Sequence, residues 1–252
     1  MHTIVIALAA FAAGAINSIA GGGTLLSFPA LVWIGVNPVM ANATNTFALW
    51  PGSFAAMVGF RRELANVRRW LLLLTIPALL GGATGGVLLL HTSMATFTRL
   101  VPFLILGATL LLATQELITR RLGVLAHAHE NPSAAWITIV AIFQFLVGIY
   151  GGYFGAGIGI LILAALGLIG LTDMHEMNGL KNLMAICING VAAIYFAWSG
   201  AVIWKDGFIM AVAAIIGGYL GARVARHLGR TFVRRSVVVI GLAMGIALFF
   251  KR

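Results

Sequence analysis

The sequence has few charged residues. Only 9% of its 252 residues are Asp, Glu, Lys or Arg, whereas a soluble domain usually contains about 25%. Hydrophobic residues make up 61% of the chain, and a soluble protein of this length cannot hide so much apolar surface from water. The composition therefore excludes a disordered chain and a soluble enzyme. It indicates a polytopic membrane protein.

Cysteine and acidic residues are also scarce. The single cysteine, Cys187, has no partner within the chain, so a disulfide-stabilised scaffold is excluded. The six acidic residues lie at the ends of apolar segments or between them: Glu63, Glu116, Glu130, Asp173, Glu176 and Asp206. No carboxylate is therefore available in the middle of the membrane as a proton relay or a cation ligand. This absence favours an anion over a cation as a solute.

Motifs for catalysis and for cofactors are missing. The chain contains no Walker A sequence, no HExxH, no GxSxG and no CxxC, so it predicts neither an enzyme nor a bound cofactor. His127 and His129 are two residues apart in a polar stretch, which is a weak pattern for a metal site. No metal ligand is predicted on this basis.

The positive charges indicate how the chain is oriented. The net charge is +10, from 16 Lys and Arg against 6 Asp and Glu. The basic residues form clusters between apolar runs, which is typical of loops on the anionic cytoplasmic leaflet rather than of a nucleic-acid-binding surface. The clusters are Arg61, Arg62, Arg68 and Arg69; Arg120 and Arg121; and Arg223, Arg226, Arg230, Arg234 and Arg235. If every segment crosses the membrane, all three face the cytoplasm and both termini face outward.

Ten apolar segments predict an all-α fold. They are Thr3–Ala20, Leu25–Val36, Ala41–Phe60, Trp70–Leu90, Leu100–Leu117, Ala134–Tyr153, Ile158–Leu171, Met177–Trp198, Gly207–Ala225 and Phe232–Phe250. A spanning helix needs about 20 residues, and the second and seventh segments are shorter. Both follow a glycine cluster, which predicts either re-entrant half-helices or short spans after tight turns.

The two halves of the chain resemble each other. Gly14–Leu31 reads GAINSIAGGGTLLSFPAL, and Gly148–Ala165 reads GIYGGYFGAGIGILILAA. When the two stretches are aligned without gaps, three glycines and an alanine coincide, and a later glycine cluster also recurs in the second half. Each half holds five segments, and an odd number reverses the orientation of the second half. The sequence therefore predicts inverted repeats over 1–118 and 134–252, joined by a polar linker over 119–133.

The glycine clusters are candidate binding sites. A broken helix in a membrane leaves backbone groups unpaired, which is tolerated where they line a cavity or meet a ligand. Helix N-termini offer N–H donors and partial positive charge to an anion, and paired broken segments are typical of transporters. The predicted binding residues here are Asn17, Ser18, Gly22, Gly23, Thr24, Gly155 and Gly157. Alternatively, Asn17, Ser18 and Thr24 form the hydrogen bonds that such residues commonly make within a turn.

Polar residues recur on one helix face in each half. In the first half they are spaced i, i+3 and i+4, and a second set lies at the corresponding place in the second half. The two sets are Asn42, Asn45 and Thr46, and Asn178, Lys181 and Asn182. Polar groups inside a membrane usually face the bundle interior, so both sets are predicted to bind a solute. The alternatives are hydrogen bonds between helices and, for Lys181, snorkelling to the interface.

Three stretches resemble a known family. The sequence ANATNTFALWPG around Asn42, the two glycine-rich openings and the run Met177–Asn182 are similar to the sulfite exporter TauE/SafE family, also known as the four-toluene sulfonate uptake permease family. The resemblance covers nearly the whole chain. It implies secondary transport of small sulfur-containing anions, such as sulfite, sulfonates or sulfoacetate-like acids, across a bacterial inner membrane. Because the family is broad, the resemblance identifies neither the anion nor the coupling ion.

The sequence as a whole predicts a secondary transporter of small anions that works by alternating access. A channel for a small solute is one alternative, and saturable flux with counterflow would distinguish a carrier from it. A membrane enzyme or assembly subunit is another, which a fixed partner would favour. The expected partners are a small anionic substrate and the lipid bilayer, with a homo-oligomer left open.

Overall fold

The computed structural model describes residues 2–19, 22–58, 68–127, 133–171, 173–228 and 230–250. Over these ranges the elements are α-helices and no strand occurs. The helices are α1 His2–Ile19, α2 Thr24–Trp33, α3 Pro38–Val58, α4 Arg68–His91, α5 Met94–His127, α6 Ala134–Tyr153, α7 Ile158–Leu168, α8 Met174–Trp198, α9 Trp204–Leu228 and α10 Arg230–Phe250. They follow the ten predicted segments in order, so the all-α class is confirmed.

Helix length separates two kinds of element. Among the described residues, five helices are long and apolar enough to cross a membrane, namely α4, α5, α6, α8 and α10. The short helices α2 and α7 have 10 and 11 residues. At about 1.5 Å per residue they reach roughly half of the hydrocarbon core. This agrees with the shortness predicted for the second and seventh segments.

The outer faces of the long helices are apolar. On α4, Leu72, Ile76 and Leu80 follow one another at four-residue spacing, and each is more than half exposed. Residues at this spacing share one helix face. A continuous exposed stripe of large apolar side chains is typical of a surface that contacts lipid. Together with the five apolar spans, this stripe indicates a multi-pass membrane protein.

Glycines bring helices of the two halves into close contact. A Cβ atom added at Gly14 of α1 would overlap the Ala214 carbonyl of α9, and one added at Gly81 of α4 would overlap the Phe145 carbonyl of α6. No side chain larger than hydrogen fits at either position. Thus α1 packs along α9 and α4 packs along α6, with backbone against backbone as in other small-residue helix contacts.

The two short helices begin after interruptions that require glycine. The backbone has positive φ at Gly22 (+88°), Gly155 (+77°) and Gly157 (+74°), a region that side chains other than hydrogen rarely adopt. We name residues 22–23 the first break and residues 154–157 the second break. The first break immediately precedes α2, and the second break lies between α6 and α7.

Both short helices lie inside the bundle rather than on its surface. On α2, Leu25, Phe28 and Leu31 are buried, and on α7 Ile162 and Leu166 are buried as well. α2 packs against α1, α3 and α10, while α7 packs against α5, α6 and α8. The apolar interior therefore surrounds the two breaks.

Helix α5 extends into the stretch predicted as the central linker. Helix α5 continues to His127, nine residues into the polar stretch assigned to 119–133, and residues 128–132 lie outside the described ranges. A polar stretch at the end of a helix has the same composition as a loop, so composition does not distinguish the two. The boundaries of the two repeats remain a prediction.

Candidate functional site

The first break is closed by side chains from α1 and α2. Asn17 Oδ1 accepts a hydrogen bond from the Gly23 amide at 2.7 Å. The Ser27 hydroxyl lies 3.2 Å from the Gly23 carbonyl oxygen, one turn into α2. The oxygen of Asn17 thus makes a hydrogen bond within the turn, which was the alternative to binding a ligand. Its NH₂ group can still donate a hydrogen bond. The side chain of Ser18 lies outside the described part of the structure.

Helix α3 connects to the first break through a buried pair. Asn45 is buried, and its Oδ1 atom lies 2.5 Å from the hydroxyl of Ser27, which is also buried. Ser27 was missed from the sequence, where it is the one hydroxyl within the apolar run that follows Thr24 in a short helix. This isolation is the one signal that could have identified it.

One turn before Asn45 on α3, Asn42 connects to the second break. Its Nδ2 donates to the Tyr153 carbonyl oxygen at 3.0 Å, and its side chain is fully buried. Within the described ranges, Asn42 Oδ1 accepts no hydrogen bond. The first polar set therefore reaches both breaks, with Asn45 near one and Asn42 near the other.

The two breaks lie close together in the molecule. Phe28 of α2 packs edge-to-face on Phe154 of the second break, with ring centroids 5.4 Å apart. A Cβ added at Gly22 would lie 3.1 Å from Leu112 of α5, and one added at Gly157 would lie 3.5 Å from the Ala108 carbonyl oxygen. Ala108 and Leu112 are one turn apart on α5.

The depth of the breaks follows from their position on α5. The apolar span of α5 runs over Met94–Ile118, and Ala108 lies close to the middle of this range. Both breaks pack against adjacent turns there. We therefore expect both breaks to lie inside the hydrocarbon region, where unpaired backbone groups occur only if they are covered by protein or meet a ligand.

Lys181 lies beside the beginning of α7. Its Cδ atom is 3.3 Å from the position that a Cβ at Gly159 would occupy. Its Nζ donates to Asn178 Oδ1 at 2.9 Å. The structure thus brings together Lys181, Asn178 and the positive end of the α7 dipole, and both side chains are half-buried.

Three other predicted residues make fewer contacts. Thr24, Thr46 and Asn182 are half-buried. No side-chain hydrogen bond joins any of them to another described residue. Their assignment as binding residues remains a prediction.

Three of the described carboxylates are engaged away from the breaks. Glu116 pairs with Arg234 at 2.7 Å between α5 and α10. Asp206 pairs with His2 at 3.1 Å between α9 and α1. Asp173 accepts hydrogen bonds from the amides of His175 and Glu176, as an N-cap residue does. By contrast, the side chain of Lys181, which carries a positive charge, packs against Gly159 at the beginning of α7.

No candidate metal centre is found in the described ranges. They hold no group of three or more His, Cys, Asp or Glu side chains that could bind a metal ion. His127 ends α5, and His129 lies outside the described residues.

Comparison with known proteins identifies the family. The model of the family "Sulfite exporter TauE/SafE" matches residues 6–248. A "Probable membrane transporter protein" of Haemophilus influenzae is 32% identical, over 93% of this chain and 89% of its own length. A "Probable membrane transporter protein ORF9" of Sinorhizobium sp is 30% identical, over 96% of this chain and 90% of its own.

A third relative is the "Probable membrane transporter protein YfcA" of Escherichia coli K12, which is 28% identical over 96% of this chain and 87% of its own length. No solved structure matches the chain. The family match and the relatives each cover most of the chain and indicate a membrane transporter. The chain belongs to the TauE/SafE sulfite exporter family.

Proposed function

We propose that the protein is a secondary transporter of small sulfur-containing anions in the bacterial inner membrane, working by alternating access. The observation that supports this most is the meeting of both breaks at the middle of α5, with Lys181 beside the beginning of α7. Helix starts and an ammonium group are donors with positive charge. They suit an anion and not a neutral or cationic solute.

The chemistry of the site matches a sulfite or sulfonate group. Such a group presents oxygen acceptors that share negative charge, and charge-assisted hydrogen bonds to them are stronger than neutral ones. The proposed donors are Lys181, the amide groups that begin α2 and α7, and the polar side chains near them. The full set of residues predicted to bind the solute is Asn17, Ser18, Gly22, Gly23, Thr24, Asn42, Asn45, Thr46, Gly155, Gly157, Asn178, Lys181 and Asn182. Among them, Asn42 offers only an acceptor, because its NH₂ group already donates to the Tyr153 carbonyl.

Matching glycine contacts support an inverted repeat. Gly14 packs on Ala214, and its counterpart Gly148 packs on Ala78, which occupies the place in the first half that Ala214 occupies in the second. Both contacts place a glycine against a carbonyl of the other half. Five helices in each half give the second repeat the opposite orientation, as in many secondary transporters.

The C-terminal ends of the short helices correspond in the same way. Gly35 N donates to the carbonyl of Val32 after α2, and Gly170 N donates to that of Gly167 after α7. Both glycines have positive φ, which is typical of a helix C-terminus. Because α7 is one residue longer than α2, the alignment that pairs the breaks also pairs these helix ends once a single-residue insertion in α7 is allowed.

The packing suggests which parts move. Helices α1, α3, α4, α6, α8 and α9 pack on one another, and α5 packs along α10. The two groups meet largely through α2 and α7, which are the helices that follow the breaks. We propose that the α5–α10 pair and the six-helix group shift relative to each other around the bound anion.

The experiment is sulfite flux into liposomes. Purified protein is reconstituted, and uptake of radiolabelled sulfite and of a panel of sulfonates is measured against empty liposomes. Lys181→Ala is expected to reduce uptake by about tenfold or more, because one charge-assisted contact contributes roughly 1.5–3 kcal/mol. Lys205→Ala, at an exposed lysine beginning α9, is the control and should transport like the wild type.

Two results would count against the proposal. Wild-type uptake equal to that of empty liposomes for every anion in the panel would reject it. Flux that neither saturates nor supports counterflow would instead indicate the channel alternative.

A further inference from the structure

The amide of Asn42 is held in one orientation at the carboxyl end of α6. Its Nδ2 donates to the Tyr153 carbonyl oxygen at 3.0 Å, and a carbonyl oxygen can only accept. The two ends of the amide therefore cannot be exchanged, and Oδ1 must lie on the other side. This oxygen is buried and accepts no hydrogen bond from the described residues. A buried acceptor without a donor is costly, so a ligand that satisfies this oxygen would stabilise the site.

A second amide oxygen lies at the same break. Asn189 Oδ1 on α8 is 3.4 Å from the position that a Cβ at Gly155 would occupy. Gly155 follows the end of α6, where the last helix carbonyls lack intrahelical partners and carry partial negative charge. The Tyr150 carbonyl accepts from the amides of Phe154 and Gly155, which closes the helix there. The α6 side of the second break is thus rich in oxygen atoms.

The ligands at this end of α6 suit a monovalent cation better than a divalent one. Divalent ions in proteins usually require carboxylate ligands, and the carboxylates of Glu116, Asp173 and Asp206 are engaged elsewhere. Lys181 is about two turns before Asn189 on α8, and its Nζ donates towards the start of that helix, to Asn178. Like charges are therefore kept apart along α8.

We propose that the carboxyl end of α6, with Asn42 and Asn189, forms a sodium site. The second break would then bind a cation on its α6 side and the transported anion on its α7 side, at the negative and positive helix ends respectively. Broken helices commonly serve both purposes. Opposite charges at short range in a medium of low dielectric constant attract, so each ion favours binding of the other. The mutual effect of the two ions depends on the proposed anion transport. The sodium site itself does not depend on it.

The test is binding of ²²Na⁺ to the purified full-length protein in detergent, without sulfite. The wild type is expected to bind sodium saturably and to release it to excess unlabelled sodium but not to choline. Asn42→Leu and Asn189→Leu should each weaken binding by about tenfold or more, since each removes one ligand oxygen. Two positions are tested because Asn42→Leu also removes the hydrogen bond to the Tyr153 carbonyl at the end of α6. Asn189 is only half-buried, so Asn189→Leu should disturb the fold less.

Gln144→Met is the matched control. Gln144 is a buried amide on α6 whose two polar atoms meet no hydrogen-bonding partner in the described residues, and it lies nine residues before Tyr153. The change removes a buried amide of the same kind, about 13 Å along the helix from the site. Sodium binding by this variant should equal that of the wild type.

Wild-type protein that binds no sodium above the choline background would overturn the proposal. So would wild-type affinity in both asparagine variants, if gel filtration shows them to be monodisperse. Because binding is measured without sulfite, intact sodium binding together with absent sulfite flux would contradict the anion proposal alone.

Discussion

At the scale of residues, the buried polar side chains of α3 fall into two classes. Some bond to other parts of the fold, and one keeps an acceptor without a partner among the described residues. Thr44 on α3 accepts from the Ile203 amide at 3.0 Å and so connects α3 to the loop before α9. Asn45 is engaged with Ser27. Asn42 is engaged through its NH₂ group alone. The same helix thus holds structural contacts and one acceptor that remains for a ligand.

The pair of Ser27 and Asn45 yields a prediction. Ser27→Ala removes a hydroxyl from a fully buried site and leaves the Asn45 amide without that partner. We expect the free energy of unfolding to fall by about 1–3 kcal/mol, with a lower melting temperature in detergent. Sulfite transport should also fall, because α3 would lose its connection to the first break.

Ser236→Ala is the control for this prediction. The Ser236 hydroxyl bonds to the Phe232 carbonyl within its own helix, so its removal should change the melting temperature little. Equal melting temperatures for Ser27→Ala and Ser236→Ala would show that the contact with Asn45 contributes nothing.

Helix periodicity predicted part of the candidate site. The spacing of Asn42 and Asn45 placed both on one face of α3, and both are buried. The residues that they contact, Ser27 and Tyr153, belong to other helices. Periodicity describes neighbours within one helix, whereas these contacts depend on how separate helices pack. They could not be deduced from the order of residues alone.

At the scale of elements, glycine acts by allowing close approach. The short helices and their breaks were predictable, because length and glycine clusters are properties of local sequence. The helix that each glycine faces was not, since Gly81 contacts Phe145 of α6 and not a neighbour in sequence. Equally, the end of α5 could not be located, because its polar last turns lie beyond the apolar span.

Close packing of α4 on α6 predicts that Gly81 tolerates no side chain. Gly81→Ala would force a methyl group onto the Phe145 carbonyl of a rigid helix, so the helices must separate. Overpacking of this kind costs about 1–3 kcal/mol or more. The expected result is a lower melting temperature and less folded protein in the membrane.

Gly107→Ala on α5 is the matched control, since nothing lies within 4 Å of the added Cβ. Alanine is the better helix former by about 1 kcal/mol, so this variant should be as stable as the wild type or more so. Similar losses in both variants would contradict the role assigned to the α4–α6 contact.

At the scale of the whole molecule, the two halves do not form separate bodies. The most extensive packing joins helices of different halves: α1 with α9, α4 with α6 and α8, and α3 with α8 and α9. Ion pairs extend this pattern, with His2 on Asp206 and Glu116 on Arg234. Because the two halves are interleaved, the breaks lie inside the molecule. If the halves packed side by side as two separate bundles, the breaks would lie at the boundary between them.

Orientation in the membrane gives the last prediction. Positive charge in loops predicts that the connection before α6 is cytoplasmic and that those after α4 and α8 are external. In a Cys187→Ser background, single cysteines at the exposed positions Ser93, Ser133 and Ser199 report on these three connections. A membrane-impermeant maleimide applied to intact spheroplasts should label Ser93→Cys and Ser199→Cys. Ser133→Cys should react only after the membrane is permeabilised.

The parity of the helices makes this test sensitive to the short elements. If α1 with α2 and α6 with α7 each return to the side from which they enter, or if all four cross, the three positions label as stated. If α7 alone failed to cross, the connection after α8 would lie on the same side as Ser133. Labelling of Ser133→Cys and Ser199→Cys under the same condition would therefore contradict both the orientation and the inverted repeat.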